Sequence, residues 1–406
     1  MKEERMMILT MLEEGKISSE EALKLLEALD DNDEEDFIPK EDKVDDKKVD
    51  MDKMGKTIKE QGKKMEQFGN DMSNKISNLF GGIKEKSSSI NFLGNYETVN
   101  TTLEKDISHI EKPNIDIKSI NGNISLKPWD KESILVKVAC SYKKGTMDKN
   151  DTFYDFYEED DNIVFKPAYT NNIGIKLEVL VPNREYEKII LNTSNDKIEI
   201  KDLNVDNLIC DTTNASIAVS GLNGNNIKLV TKNGKISLEN INSPIIMANS
   251  TNSSVSLDKI RSEKIFVYTK NGRIYLKDIE SDSIEGITSN ASIEVKNPIG
   301  KNVKLVTSNG KIICDEFSAK DMEKLELTTS NASINTHFNE FDNILYFDFE
   351  TSLGNINLEI PNLVYKVNQQ NKLGTRKIIA HSIEYEEEEP HFKFIASTSN
   401  GSIRVN

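Results

Sequence analysis

The stretch "KLVTSNGKII" (Lys304–Ile313) has near-copies along the chain: "KLVTKNGKIS" at 228–237, "FVYTKNGRIY" at 266–275 and "ILNTSNDKIE" at 190–199. Between them stand "LICDTTNASIA" (208–218), "MANSTNSSVS" (247–256) and "EGITSNASIE" (285–294). Aligned on the turn asparagine, the copies place Asn195, Asn214, Asn233, Asn252, Asn271, Asn290 and Asn309 at a constant 19-residue step. Asn331 follows after a slightly longer step, and Leu353 takes the slot after another of that length; Asn121 and Asn400 mark related turns at the two ends.

Around Asn233 the apolar or small positions are Ile227, Leu229 and Thr231 before the turn, then Ile236, Leu238 and Ile241 after it. The same offsets around Asn214 give Leu208, Cys210, Thr212, Ile217, Val219 and Leu222. Each unit therefore reads as two short strands with alternating burial, joined by a T-x-N-G-x-I turn. A single unit has no way to bury its apolar side, but stacked units do, with equivalent residues in ladders about 4.8 Å apart. The pattern predicts a mainly β chain: an elongated β-solenoid of about 19-residue repeats, occupying residues 91–406 and stabilised by nearest-neighbour coils.

The residue after each Asn alternates (Asp196, Ala215, Gly234, Ser253, Gly272, Ala291, Gly310, Ala332) and the next alternates with it (Lys197, Ser216, Lys235, Ser254, Arg273, Ser292, Lys311, Ser333). The sequence unit is thus a 38-residue doublet, and whether one coil holds a single repeat or the whole doublet stays open. Glycine is expected to relieve a positive φ at its turns. Asparagine is expected to bond nearby backbone, to tolerate left-handed dihedrals, and to bond along its own ladder.

Composition narrows the function. A formal charge of −16 over 406 residues argues against nucleic acid as the main partner, since phosphate binding needs concentrated Lys and Arg. The opening "MKEERMMILTMLEEGK" puts acids where a signal peptide needs a cationic start, and no 18-residue apolar run occurs, so a cytoplasmic location is expected, with peripheral membrane contact open. The three cysteines have no metal or disulfide spacing, and Cys210 and Cys314 fall in apolar ladder slots.

Four segments are expected. Residues 1–30 read as a helical hairpin: Met6, Met7, Leu9 and Met11 on one helix, a Ser18/Glu21 capping box, then Ala22, Leu25, Leu26 and Leu29 on the next. Residues 31–50 read as an acidic disordered linker; residues 1–50 together hold 18 acidic against 8 basic residues. Residues 51–88 read as an amphipathic helix, with Met54, Ile58, Met65, Phe68, Met72 and Ile76 on an apolar stripe and lysines elsewhere. That stripe fits either a partner helix or an anionic membrane surface.

No nucleotide loop, zinc spacing or nucleophile signature is present, so no catalytic residue, metal site or cofactor is expected. His109, His337, His381 and His391 are scattered, and the acidic runs at 157–162 and 384–389 lack the alternate-ligand spacing of a calcium loop. One binding candidate remains: Lys197, Lys235, Arg273 and Lys311 share an outward slot and would form a basic stripe for an anionic ligand, or simply keep a stacked sheet soluble and block edge pairing.

The run "LEVLVPNREYEKIILNTSND" followed by T-x-N-G-x-I units resembles the bacterial candidate-adhesin β-strand-repeat domain, also called Toastrack, and "ILTMLEEGKISSEEALKLLEAL" resembles the short SHOCT-like helical module. The resemblance implies a non-enzymatic β-solenoid linked to envelope stress, and it supplies no catalytic residues. The expected role is a scaffold at the inner face of the membrane, with self-association or a protein partner engaged through the N-terminal helices. The alternatives are a surface or secreted adhesin and a carbohydrate-active β-helix enzyme.

Overall fold

The computed structural model describes residues 96–406, apart from 149–150, 341–343, 372–373 and 389–390. The expected hairpin, linker and amphipathic helix lie outside the described residues.

In chain order the strands before the repeats are β1 (Tyr96–Asp106), β2 (Asn114–Lys118), β3 (Ile124–Trp129), β4 (Ser133–Lys143), β5 (Tyr154–Glu159), β6 (Asn162–Pro167), β7 (Ile173–Pro182) and β8 (Glu185–Thr193). The repeats give β9 (Ile198–Thr212), β10 (Ile217–Thr231), β11 (Ile236–Asn242), β12 (Ile245–Ser250), β13 (Val255–Thr269) and β14 (Ile274–Ile287). They continue through β15 (Ile293–Ile299), β16 (Asn302–Val306), β17 (Ile312–Ser318), β18 (Lys324–Thr328) and β19 (Ile334–Glu340). The last part holds β20 (Leu345–Thr351), β21 (Ile356–Leu358), β22 (Leu363–Gln370), β23 (Arg376–Ser382), β24 (Phe392–Thr398) and β25 (Ile403–Val405).

Register decides the coil length. Ile217 pairs in parallel with Ile198 on one side and Ile236 on the other, and Leu229 with Cys210 and Ala248. One coil is therefore a single repeat, and the 38-residue doublet is a feature of sequence alone. Each coil has a leading arm after the asparagine turn and a trailing arm before the next one. In β9, β10, β13 and β14 one bent strand runs through both arms.

The bend is a second corner that the sequence pattern did not announce. It is made by a left-handed residue in each of the seven coils from β9 to β17: Asp202, Gly221, Asn240, Lys259, Asp278, Asn297 and Glu316, with φ between 50° and 65°. The expectation that glycine relieves a positive φ at the asparagine turn is corrected here. Gly234, Gly272 and Gly310 do not adopt one. They are required because a Cβ would lie 1.6, 1.9 and 1.8 Å from the carbonyl oxygens of Ala215, Ser253 and Ala291 on the coil before. Among the turn asparagines only Asn121 is left-handed, with φ 51°.

Inside, the leading arms stack Ile198, Ile217, Ile236, Val255, Ile274, Ile293 and Ile312 in one column, each fully buried. Burying one such side chain contributes roughly 1.5–3 kcal/mol, so the columns are the main source of stability. Next to the turn the inward slot is a hydroxyl. Thr231 Oγ1 donates to Ala215 O of the coil before at 3.0 Å and accepts from Gly234 N at 3.0 Å; Ser250, Thr269, Thr288, Thr307 and Thr329 likewise bond the preceding coil at 2.9–3.0 Å. These bonds satisfy polar groups that would be costly to bury alone.

At both ends spatial order departs from chain order. The trailing arms stack as β6–β2–β8–β9 at one end and β16–β18–β24–β20 at the other. The C-terminal strands thus slot between earlier coils: β25 pairs with β19 through Ile334↔Ile403, and β21 pairs with β25. Leu353 therefore does not follow Asn331 in the stack; Asn400 stands between them. Beyond these coils the pairing turns antiparallel, with β5 on β6, β4 on β7 and β1 on β4 at one end, then β23 on β20 and β22 on β23 at the other.

Candidate interaction surfaces

The asparagine turns build one unbroken ladder. Asn195 Nδ2 donates to Asn121 Oδ1 at 2.5 Å, Asn214 to Asn195 at 2.6 Å and Asn233 to Asn214 at 2.7 Å. The chain of bonds continues through Asn252, Asn271, Asn290, Asn309 and Asn331 to Asn400 at 2.6–2.8 Å. Because the side-chain carbonyl of one coil is taken up by the amide of the next, this edge is a self-satisfied structural strip.

Lys197, Lys235, Arg273 and Lys311 lie on outward slots of the leading arms, with Ser216, Ser254 and Ser292 on the coils between. The 19-residue register puts successive charges two strand spacings apart, about 10 Å. Lys197 pairs with Glu199 at 3.3 Å, and Glu199 also meets Lys201 at 3.1 Å. Lys235, Arg273 and Lys311 are exposed. The four residues thus form a row of separated charges rather than a convergent pocket.

The trailing arms show something the sequence reading passed over. Across β9 to β16 their outward slots carry Ile209, Val230, Met247, Phe266, Tyr268, Ile287 and Val306, an apolar strip that Lys228, Asn249 and the Lys304–Glu285 pair interrupt in the same two columns. Tyr268, Ile287 and Val306 are only 7%, 6% and 4% exposed and form a cluster separate from the interior core. The alternation phase makes these slots legible in sequence: each lies between two inward residues, as Phe266 lies between Ile265 and Val267. At the β9 edge of the strip stands Asp211, whose Oδ2 is buried without a hydrogen-bond partner among the described residues. Burial pushes its carboxyl up to about 6, opposed by neighbouring Lys228, and burial in turn lowers the Lys228 ammonium.

The remaining chemistry-bearing residues are spent on packing and pairing. Cys140, Cys210 and Cys314 are buried; desolvation pushes the Cys140 thiol up to about 11 and the other two further, which keeps all three protonated. His109 sits 2.6 Å from Glu158, which also pairs with Lys105 at 3.1 Å, so the 157–162 acidic run is a β5–β6 hairpin turn tied down by Lys105 and His109. His381 and His391 join Tyr346 and Tyr385 in an aromatic cluster with ring centroids 4.8–6.1 Å apart, while His337 is exposed on β19. Among the described residues no group of His, Cys, Asp or Glu is placed to hold a metal ion, and no helix is long and apolar enough to cross a membrane. The stripe of Met54, Ile58, Met65, Phe68, Met72 and Ile76 lies outside the described residues.

Residues 112–245 and 244–406 each match the family model described as Toastrack DUF4097. The chain belongs to the Toastrack family. The two matches meet between β11 and β12, within one coil, so the solenoid is two Toastrack lengths in a single continuous ladder. Residues 3–34 match a SHOCT-like domain. "Uncharacterized protein YvlB" of Bacillus subtilis (strain 168) is 27% identical over 222 residues; the match covers 52% of this chain and 58% of YvlB. Among solved structures, a candidate adhesin from Parabacteroides merdae shares 13% identity at a TM-score of 0.39, covering 55% of this chain and 90% of its own. A candidate adhesin from Bacteroides fragilis shares 13% identity at 0.30, covering 76% and 97%.

Proposed function

We propose that this protein is a non-enzymatic scaffold at the inner face of a bacterial membrane, serving envelope stress, in which the Toastrack solenoid presents an interaction surface and the N-terminal segments provide attachment. The observation that supports this reading is the run of apolar residues on outward slots of the trailing arms, where Tyr268, Ile287 and Val306 stand apart from the interior core and give another element a place to pack. A ladder of 19-residue coils offers a partner the same slot at every strand spacing, which suits recognition of an extended or helical surface.

Membrane attachment is assigned to residues 51–86. Their stripe supplies apolar burial, and each lysine near an anionic surface adds about 1 kcal/mol. The adjacent acidic linker opposes binding, so contact should be weak, reversible and salt-sensitive. Co-sedimentation with anionic liposomes tests this by comparing the full chain with one lacking residues 51–86. Binding that is lost on deletion supports the reading; equal binding by both chains would move the contact to the basic stripe. The rival is a surface adhesin, the role named for the structural neighbours. Recovery mainly in the medium or cell wall on fractionation would favour it over the scaffold.

A further inference from the structure

We propose that the outward apolar strip of the trailing arms is the docking site for this chain's own segment 51–88, so that the solenoid and the membrane compete for one stripe. The inference rests on the reading of that segment as the attachment element and adds its regulation.

Tyr268, Ile287 and Val306 occupy outward slots, yet they are 4–7% exposed and form a cluster apart from the core. Val230 and Asn249, in the same outward column on adjacent coils, are only half-buried. Low exposure on an outward face is what a covering element would produce.

From Ile209 to Val306 the strip crosses five coil steps, about 24 Å. As a helix, Met54 to Met72 spans about 27 Å and presents Ile58, Met65 and Phe68 along one side. The flexible Met54, Met65 and Met72 side chains of that stripe are suited to an uneven apolar surface.

The stretch from Leu79 to Tyr96, where β1 begins, spans about 55 Å when extended. In the leading-arm sheet β1 lies four strand spacings from β9, through β4, β7 and β3, or about 19 Å. The tether is long enough to lay the stripe on β9 to β16. At that edge the buried Oδ2 of Asp211 lacks a partner among the described residues, and the segment carries Lys53, Lys56, Lys59, Lys63 and Lys64 beside its stripe.

The test is amide hydrogen exchange on the full chain, on Phe266→Gln/Ile287→Gln and on Ile58→Gln/Phe68→Gln. Both pairs of substitutions should speed exchange within residues 51–88 by about tenfold or more. Amides of β13 and β14 should stay protected, which shows that the solenoid variant remains folded. The segment variant leaves the solenoid sequence intact and keeps the test decisive if the first fails to fold. Freeing the stripe should also raise binding to anionic liposomes in the Phe266/Ile287 variant. Rapid exchange of 51–88 in the unmodified chain overturns the docking, as does protection that both variants leave unchanged. Protection that rises with protein concentration overturns it in favour of a second copy as occupant. Docking that fails while liposome binding still needs residues 51–86 leaves the scaffold reading standing; docking that holds without liposome binding removes the membrane role instead.

Discussion

At the scale of single residues, Asp211 holds a charge where the pattern allots an outward slot and the fold removes most of the water. Its folded-state pKa of about 6 lies above the ordinary 3.8, so the native state holds the proton more tightly than the unfolded chain. The sign follows: stability is fullest below pH 4, falls as pH rises through 6, and stays reduced above that. A displacement of that size corresponds to at most about 3 kcal/mol. Asp211→Asn should therefore stabilise the chain at pH 8, with an advantage that shrinks toward pH 4 in urea unfolding curves. An advantage that did not change with pH would place its origin outside this ionisation. At the same scale Cys210 and Cys314 are ladder residues with 0% exposure, which keeps their thiols away from solvent.

At the scale of one coil, two corners do different work. The asparagine turn is held by side-chain ladders and by close backbone approach, while the opposite corner depends on a left-handed residue. The first was legible in sequence because its Asn and Thr recur at a fixed step. The second was not, because its column reads Asp202, Gly221, Asn240, Lys259, Asp278, Asn297 and Glu316, a set with no shared chemistry except tolerance of the bend. Glycine placement separates the two. Gly234→Ala should cost about 1–3 kcal/mol, because its Cβ would collide with Ala215 O and neither backbone has room to withdraw. A chemical-denaturation midpoint unchanged from the parent would show that the turn yields where the stacking geometry says it does not.

At the scale of the whole solenoid, the order of coils is set by tertiary pairing. Strands β24 and β25 join the β18–β19 coil to the β20–β21 coil by parallel pairing on both sides. A chain ending at residue 388 should therefore lose amide protection throughout β20 to β23, while β9 to β16 remain protected, since stability in a stacked array passes between neighbours. Persisting protection in β20 to β23 would mean that those strands stack directly on β18 and β19. The aromatic interior at this end, with Phe349 and Phe394 at 4.8 Å and Phe338 within 6.0 Å of Phe317, Phe392 and Phe394, crosses the same junction and should be lost with it.

Repeat spacing and alternation were enough to establish the solenoid, the position of every asparagine turn in the regular repeats and the inward identity of the Ile, Leu and Val columns. Period-2 burial within a 19-residue repeat leaves one way to hide those side chains, and that constraint is local. Three things needed the tertiary structure. The coil length depended on whether Ile217 pairs one repeat away or two, and only interstrand hydrogen bonding decides that. The order of the end coils depended on strands brought back from far along the chain, where no repeat remains to count. The outward apolar strip depended on neighbouring coils placing Val230, Phe266, Tyr268 and Ile287 side by side; each is an ordinary residue in its own strand and becomes a surface only in the stack.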